Sequence, residues 1–491
     1  MKDTTSSDDL HEGAKESRII ELARVGEAQT TEKKNILYWA FYDAADTVFA
    51  MAIISITLFQ WGELMGLRAG FTFARSHLLV STFLMISNVL VAILMPILGA
   101  HSDLVGKRKP LVIILGVITI AFIPLIALTM KFLLGLLIFL ITNVVYQAAN
   151  LYYESMLPYI CDTNSRAKVS AFGVAFGYVG TIFAILLYFL LPRGFGDATL
   201  VDDVIGGSVA PQDIQLNWVY WMFIFASVFY LLLFIPFFFV KENKSEIKIT
   251  ESFGRRTRST FIQLGRTFKE IFKENKGMLL FLVGWLLIND AVGTCIAILV
   301  DYLREGLGLD PTIAGAILFG GILVGVAFLY IMGPVIDRRG PKFGVIITAI
   351  AWTIGIILTV LSGVTYKTVV IGNLTYVYKL RFLAYIAAAI LSFGMGSVFV
   401  VGRQFILELC PPEKIGQYMG FKKISGKVSA AIGPLIFSGV LALVYPYGKT
   451  LAYQIAILSL LVFFLIGFVV ILFIKNNHAK YLKGERFPYK E

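Results

Sequence analysis

Residues Gly99-Ala-His-Ser-Asp103-Leu-Val-Gly106-Lys107-Arg108-Lys109 return in the second half of the chain as Gly333-Pro-Val-Ile-Asp337-Arg338-Arg339-Gly340-Pro-Lys342, with Gly, Asp and Gly at the same spacing. Two other pairs of stretches repeat in the same order. Asp43-Ala-Ala-Asp46-Thr47 is answered by Asp290-Ala-Val-Gly-Thr294, and Glu154-Ser-Met-Leu-Pro158 by Glu408-Leu-Cys-Pro-Pro412. Self-similarity at a long, constant offset is the mark of a duplicated unit. Whatever the first half folds into, the second half is expected to fold into again.

The surrounding composition says what that unit is made of. The chain has 491 residues, of which 57% are hydrophobic and 15% charged, and its mean hydropathy is +0.78. A water-soluble domain carries about 25% charged residues, so this is a membrane protein. Taking about 20 apolar residues per crossing, twelve spans are expected near 36–59, 78–100, 111–130, 132–155, 169–191, 217–240, 278–303, 312–334, 343–363, 382–407, 420–444 and 450–474. The fold class is therefore an all-α membrane protein of twelve transmembrane helices in two pseudo-symmetric six-helix bundles. Its expected parts are a polar, disordered N-terminal segment at 1–34, a first bundle at 35–240, a linker at 241–277, a second bundle at 278–475 and a tail at 476–491.

The net charge of +11 does not point to nucleic acid, because Lys and Arg sit in short connections between apolar runs, where they orient helices in a bilayer. The even-numbered connections hold Lys107, Arg108, Lys109, Arg166, Lys168, Arg338, Arg339, Lys342 and Lys414, and are expected in the cytoplasm with both termini. The connection 193–216 carries Asp197, Asp202, Asp203 and Asp213, and is expected on the other side; Lys367, Lys379 and Arg381 run against this rule. In the linker, Phe261, Leu264, Phe268, Ile271 and Phe272 recur at helical spacing, as in a helix on the cytoplasmic leaflet or one docked on the bundle. The first apolar run starts too late for a cleaved signal peptide.

Charges at membrane depth are costly and mark candidate functional positions. Asp43 and Asp46, spaced i, i+3, share one helix face; such a pair suits a proton, Na+ or a cationic group. The alternative is a structural Asp43 paired with Lys33, Lys34 or Lys422. Asp290, beside Asn289, lies well inside the seventh span, and its depth makes it the better coupling candidate, a cavity carboxylate expected to exchange a proton or contact the substrate with Arg403 nearby. Arg403 in the tenth needs a partner, for which Asp290 or Glu154 is available, or binds a substrate carboxylate. Asn143, Gln147 and Asn150 share a face of the fourth span, lining a cavity or bonding another helix. Gly173, Gly177 and Gly180, and Gly321 with Gly325, form small ridges for close packing. Cys161, Cys295 and Cys410 are too scattered for a disulfide framework or a metal site. The glycines 320 to 325 lack the Lys-Ser/Thr of a phosphate loop, and no hydrolytic constellation occurs. No cofactor, metal or enzyme activity is expected.

The loop Gly99, Asp103, Gly106, Lys107, Arg108 with its copy Gly333, Asp337, Arg338, Gly340 resembles the signature cytoplasmic loop of the major facilitator superfamily. That resemblance implies gating loops whose Asp pairs with basic groups of a neighbouring helix. Trp39-Ala-Phe-Tyr-Asp43-Ala-Ala-Asp46, then Leu157-Pro158 with Val169 to Gly180, Trp285-Leu-Leu-Ile-Asn289-Asp290, and Gly402-Arg403 to Pro412 continuing from Gly416 to Gly433-Pro434 are similar to the narrower vacuole-effluxer-like branch. The branch usually carries Asn where this chain has Asp46. The resemblance implies a secondary active transporter that moves a small polar solute, most plausibly amino acids, across the cell membrane, or the vacuolar membrane in a eukaryote. It has the lipid bilayer, a small-molecule substrate and H+ or Na+ as partners, and is expected as a monomer. A sugar–cation symporter is the alternative within transport, and a non-transporting membrane sensor or scaffold the alternative of another class.

Overall fold

The computed structural model describes residues 28, 30–104, 107–129, 131–194, 204, 210, 213–243, 253–371 and 374–485. The expected disorder of the N-terminal segment, Gly106, Asp197, Asp202 and Asp203 fall outside them.

Long apolar helices follow one another along the chain. They are α1 (Lys33–Arg68), α2 (Phe73–Leu104), α3 (Lys109–Leu128), α4 (Phe132–Ser155), α5 (Arg166–Gly194) and α6 (Asn217–Phe234); then the linker helix α7 (Phe253–Lys273); then α8 (Lys276–Asp301), α9 (Pro311–Arg339), α10 (Pro341–Ser362), α11 (Phe382–Leu409), α12 (Ile415–Val444) and α13 (Lys449–Leu472). A short helix α14 (His478–Leu482) ends the described chain. Eleven of these helices are long and apolar enough to cross a membrane. The twelfth span is α12, whose first half bears Lys422, Lys423 and Lys427 and whose second half is apolar. Large aliphatic side chains stay uncovered on the helices, for example Leu190 at 65% and Leu435 at 76% exposure. In water such surface would drive aggregation, whereas lipid accepts it.

Two compact units divide the chain, and their boundaries are not those of the repeat. The first comprises Met1–Thr163, Phe176–Leu264 and Pro412–Gly420; the second comprises Asn164–Ala175, Gly265–Pro411 and Phe421–Glu491. Residues 166–175 of α5 thus belong to the second unit, and residues 415–420 of α12 to the first. Within the first unit, the interior is aromatic: Trp39 and Tyr42 stack on Tyr153 at 4.4 and 4.3 Å between ring centroids, and Tyr42 meets Phe234 edge-on. Gly177 and Gly180 let α5 lie directly on α1, since a Cβ at Gly180 would stand 2.1 Å from the Ala44 carbonyl oxygen. In the second unit, Gly321 and Gly325 bring α9 against Ala388 and Ser392 of α11 in the same way.

The structure departs from the sequence reading in two places and bears on a choice it left open in a third. First, α1 does not end near residue 59 but runs to Arg68, with a π-helical stretch at Phe49–Thr57; wider turns of this kind often accompany functional sites. Second, a hairpin of β1 (Thr365–Ile371) and β2 (Leu374–Lys379) fills the connection before α11. Lys379 at its end donates to the Gly306 carbonyl at 2.7 Å and to Thr450 Oγ1 at 2.9 Å, so this lysine has a local structural use. Third, α7 is docked along one edge only. Thr267 and Ile271 are buried while Phe268 and Phe272 remain exposed, with Phe268 reaching Phe421 at 6.3 Å.

Candidate transport site

Asp43 is buried on α1, beneath the point where Gly177 packs. One turn on, Asp46 is half-buried and its Oδ2 accepts a hydrogen bond from the Tyr146 hydroxyl of α4 at 3.0 Å. Tyr42 and Tyr230 approach the same carboxylate closely enough to sense its charge. The pair thus stands among phenols, just ahead of the π-helical turn. Tyr146 and Tyr230 were not singled out from sequence. Their only trace there is an aromatic residue at the packing face of a span, which every core helix carries.

The amides of α4 divide. Asn143 is fully buried and donates to Ser87 Oγ of α2 at 2.8 Å, so it bonds another helix. Gln147 is half-buried, and Asn150 and Glu154 are buried further along the same helix.

In the second unit, Asp290 is buried and its Oδ1 accepts the backbone N–H of Gly433 at 2.7 Å. The next residue is Pro434, inside α12. Asp290 therefore does not pair with Arg403, as the sequence reading allowed. Arg403, also buried, donates to Ser170 Oγ at 3.4 Å. Asn289 is half-buried close to Gly426 of α12.

The two repeated loops are built alike, and not by ion pairing alone. Asp103 Oδ1 and Oδ2 accept the backbone N–H groups of Gly416 and Gln417 at 2.6 and 2.9 Å, in the first turn of α12. Asp337 does the same to Ala167 and Lys168 in the first turn of α5, at 2.8 Å each. The first turn of a helix has N–H groups without intrahelical partners and a positive dipole end, so a bidentate carboxylate satisfies two donors at once. Asp103 also has a basic neighbour, Arg108 at 3.6 Å, and that residue comes from its own loop rather than a neighbouring helix. Gly99 and Gly333 make these approaches possible: a Cβ would stand 2.2 Å from the Gly416 carbonyl oxygen and 2.7 Å from Lys168 Cα respectively. Gly340 has φ +85°, a conformation glycine adopts freely. Lys107 and Arg338 are exposed.

Each loop also has a cover that sequence reasoning missed. Glu242 accepts the N–H groups of Arg108 and Lys109 at 2.8 Å, at the start of α3. In the second unit the cover is α14: His478 Nδ1 meets Glu408 Oε1 at 2.7 Å and Nε2 meets the Asp337 carbonyl oxygen at 3.0 Å. Arg166, the first residue of α5, donates to the Tyr481 hydroxyl.

The profile of the family described as "Vacuole effluxer Atg22 like" matches residues 74–483. The chain belongs to this family. It is 24% identical over 445 residues to an uncharacterized MFS-type transporter, YxiO, of Bacillus subtilis, covering 89% of this chain and 94% of that protein. Over 286 residues it is 24% identical to autophagy-related protein 22-1 of Neosartorya fischeri, covering 55% of this chain but 42% of the relative. In fold it is similar to the proton:xylose symporter XylE, with a TM-score of 0.60 at 13% identity over 94% of this chain and 97% of the other. This Atg22-like protein is thus a multi-pass secondary transporter with the twelve-helix major facilitator fold, set in a lipid bilayer and serving a small-molecule substrate.

Proposed function

We propose that the protein moves a small polar organic solute, an amino acid or a close relative of one, by alternating access, with Asp43 and Asp46 as its proton-coupling pair. The observation that carries this reading is the contact between Asp46 and Tyr146. A carboxylate one turn beyond a second, buried carboxylate is held by a phenol at membrane depth, where an ionisable pair is costly unless it is used. Two such groups on one helix face can trade a proton as their surroundings change. The bidentate clamps of Asp103 and Asp337 suit the gating elements: each bond joins a loop to a helix terminus, and its loss or gain would accompany a change of state. On the same reading the basic connections at Lys107, Arg166, Lys241, Arg338 and Lys414 face the cytoplasm.

The test is exchange in proteoliposomes. Labelled amino acids should exchange across the membrane without a gradient, and an imposed pH gradient should drive their accumulation. Accumulation of a sugar in response to Na+ alone would replace this reading with a sugar–cation symporter.

A further inference from the structure

The first half of α12 carries three lysines, Lys422, Lys423 and Lys427. Lys427 is the deepest. Counted from the apolar run at 420 it lies about 10 Å along the helix, and counted from Ile415 about 18 Å, at 1.5 Å per residue, in a hydrocarbon core about 30 Å thick. Lys423 and Lys427 are spaced i, i+4 and so lie on one face. That face continues the line of Gly416 and Gly420, the face along which α12 packs closely on residues Met95 to Gly99 of α2. Lys422 sits one step aside, buried, with its ammonium 5.8 Å from the centre of the Trp285 ring.

Among the described residues, no carboxylate pairs with Lys427. Its side chain is half-buried with protein closely around it, and the charged group that acts on it is Lys423. Among the described residues it has no hydrogen-bond or ion-pair partner. The carboxylate of Asp290 on α8 accepts the Gly433 N–H and is not among the charges that act on Lys427. Beside this face stands the half-buried amide of Asn289, with Gly426 leaving room where a side chain would meet it. An ammonium enclosed within a membrane bundle and facing a second one is unfavourable by itself, and is retained where an anion completes it.

We infer that Lys427, with Lys423 on the same face and Asn289 beside it, binds an oxyanion group, carboxylate or phosphate, of the transported solute. The inference rests on the transport reading above and narrows it to solutes that carry a negative group. Two ammoniums a helical turn apart can share one oxyanion, and an amide can orient it.

The experiment is thermal unfolding of the purified full chain against acetate, pyruvate, succinate, glutamate and inorganic phosphate, with acetamide, succinamide and glutamine as uncharged counterparts. At least one anion should raise the unfolding temperature of the wild type while its uncharged counterpart does not. Whether carboxylates or phosphate do so identifies the group. Lys427→Gln should weaken the apparent affinity about tenfold or more, and Lys423→Gln less; Lys427→Arg, which keeps the charge and guards against a Gln variant that does not fold, should retain most of it. An anion effect unchanged in Lys427→Gln, or the absence of stabilisation by every anion, overturns the site. Exchange of an uncharged solute in proteoliposomes with no anion effect would sink the site and leave transport standing. An anion effect lost in Lys427→Gln, with no exchange of any solute, would do the reverse.

Discussion

Asp46 in the first half and Asp290 in the second stand at different positions of one repeated pattern, since Asp290 matches Asp43 while Gly293 stands where the first half has Asp46. Asp46 is half-buried and bonded to the Tyr146 phenol; Asp290 is buried and bonded to the backbone N–H of Gly433. The duplication therefore keeps one carboxylate in each half, and only the first half adds a second that answers to a side chain. A side chain that answers to another side chain can change partners during a cycle. One that completes the backbone of a neighbouring helix is costly to release, because the helix is left with an unsatisfied donor.

The widest separation of the two should come from the isosteric substitutions. Asp46→Asn should abolish accumulation driven by a pH gradient, lowering it tenfold or more (about 1.4 kcal/mol per factor of ten), while exchange without a gradient persists. Asp290→Asn should leave the gradient response in place and lower thermal stability, with about 1.5–3 kcal/mol as the scale for a hydrogen bond to a charged group. The comparison breaks if Asp290→Asn loses coupling at unchanged stability, or if Asp46→Asn accumulates solute fully.

A smaller difference is expected between the two loops. Asp103→Ala and Asp337→Ala each remove a bidentate cap from a helix terminus, and each should slow exchange more than it lowers the yield of folded protein. Asp103→Ala should be the more severe, because it also removes one of the two carboxylates that act on the buried Arg108. Equal effects on flux would mean that the helix caps alone matter.

The smallest effect should come from the tail. Burial works against the charged form of His478, but its hydrogen bond to Glu408 and the neighbouring charges outweigh this and push its pKa above the ordinary value of 6.5. A raised folded-state pKa contributes stability that is fully present below about pH 6.5 and is lost as the pH rises through the folded value. Docking of α14 should therefore weaken on alkalinisation, seen as increased mobility of a spin label at Lys483. The first-half loop, covered by Glu242 instead of a histidine, should show no such change. His478→Gln should remove the pH dependence, and an unaltered mobility profile in that variant would show that the histidine does not hold the tail.

Much of this molecule was legible before folding. Spans can be counted because each crossing must satisfy its own backbone and cover itself with apolar side chains, a local demand written in consecutive residues. The duplication was legible because Gly99-x-x-x-Asp103 and Gly333-x-x-x-Asp337 retain the small residue that permits close approach and the acid that uses it. The candidate positions Asp43, Asp46, Asp290 and Arg403 were legible because charge within an apolar run is rare.

Partners were not legible, since they depend on which turns of distant helices meet. Nothing in Asp103 names the first turn of α12, 313 positions away, and a pairing with basic groups of a neighbouring helix was the expectation. Asp290 offered the same difficulty: its partner Gly433 lies 143 positions away in another helix. Lys427 is the clearest instance. The sequence shows a lysine within a span, and local physics says only that it is costly there. That it is enclosed and, among the described residues, has no carboxylate paired with it follows from the packing of helices far apart in the chain. Tertiary structure alone decides whether a buried charge has already been neutralised.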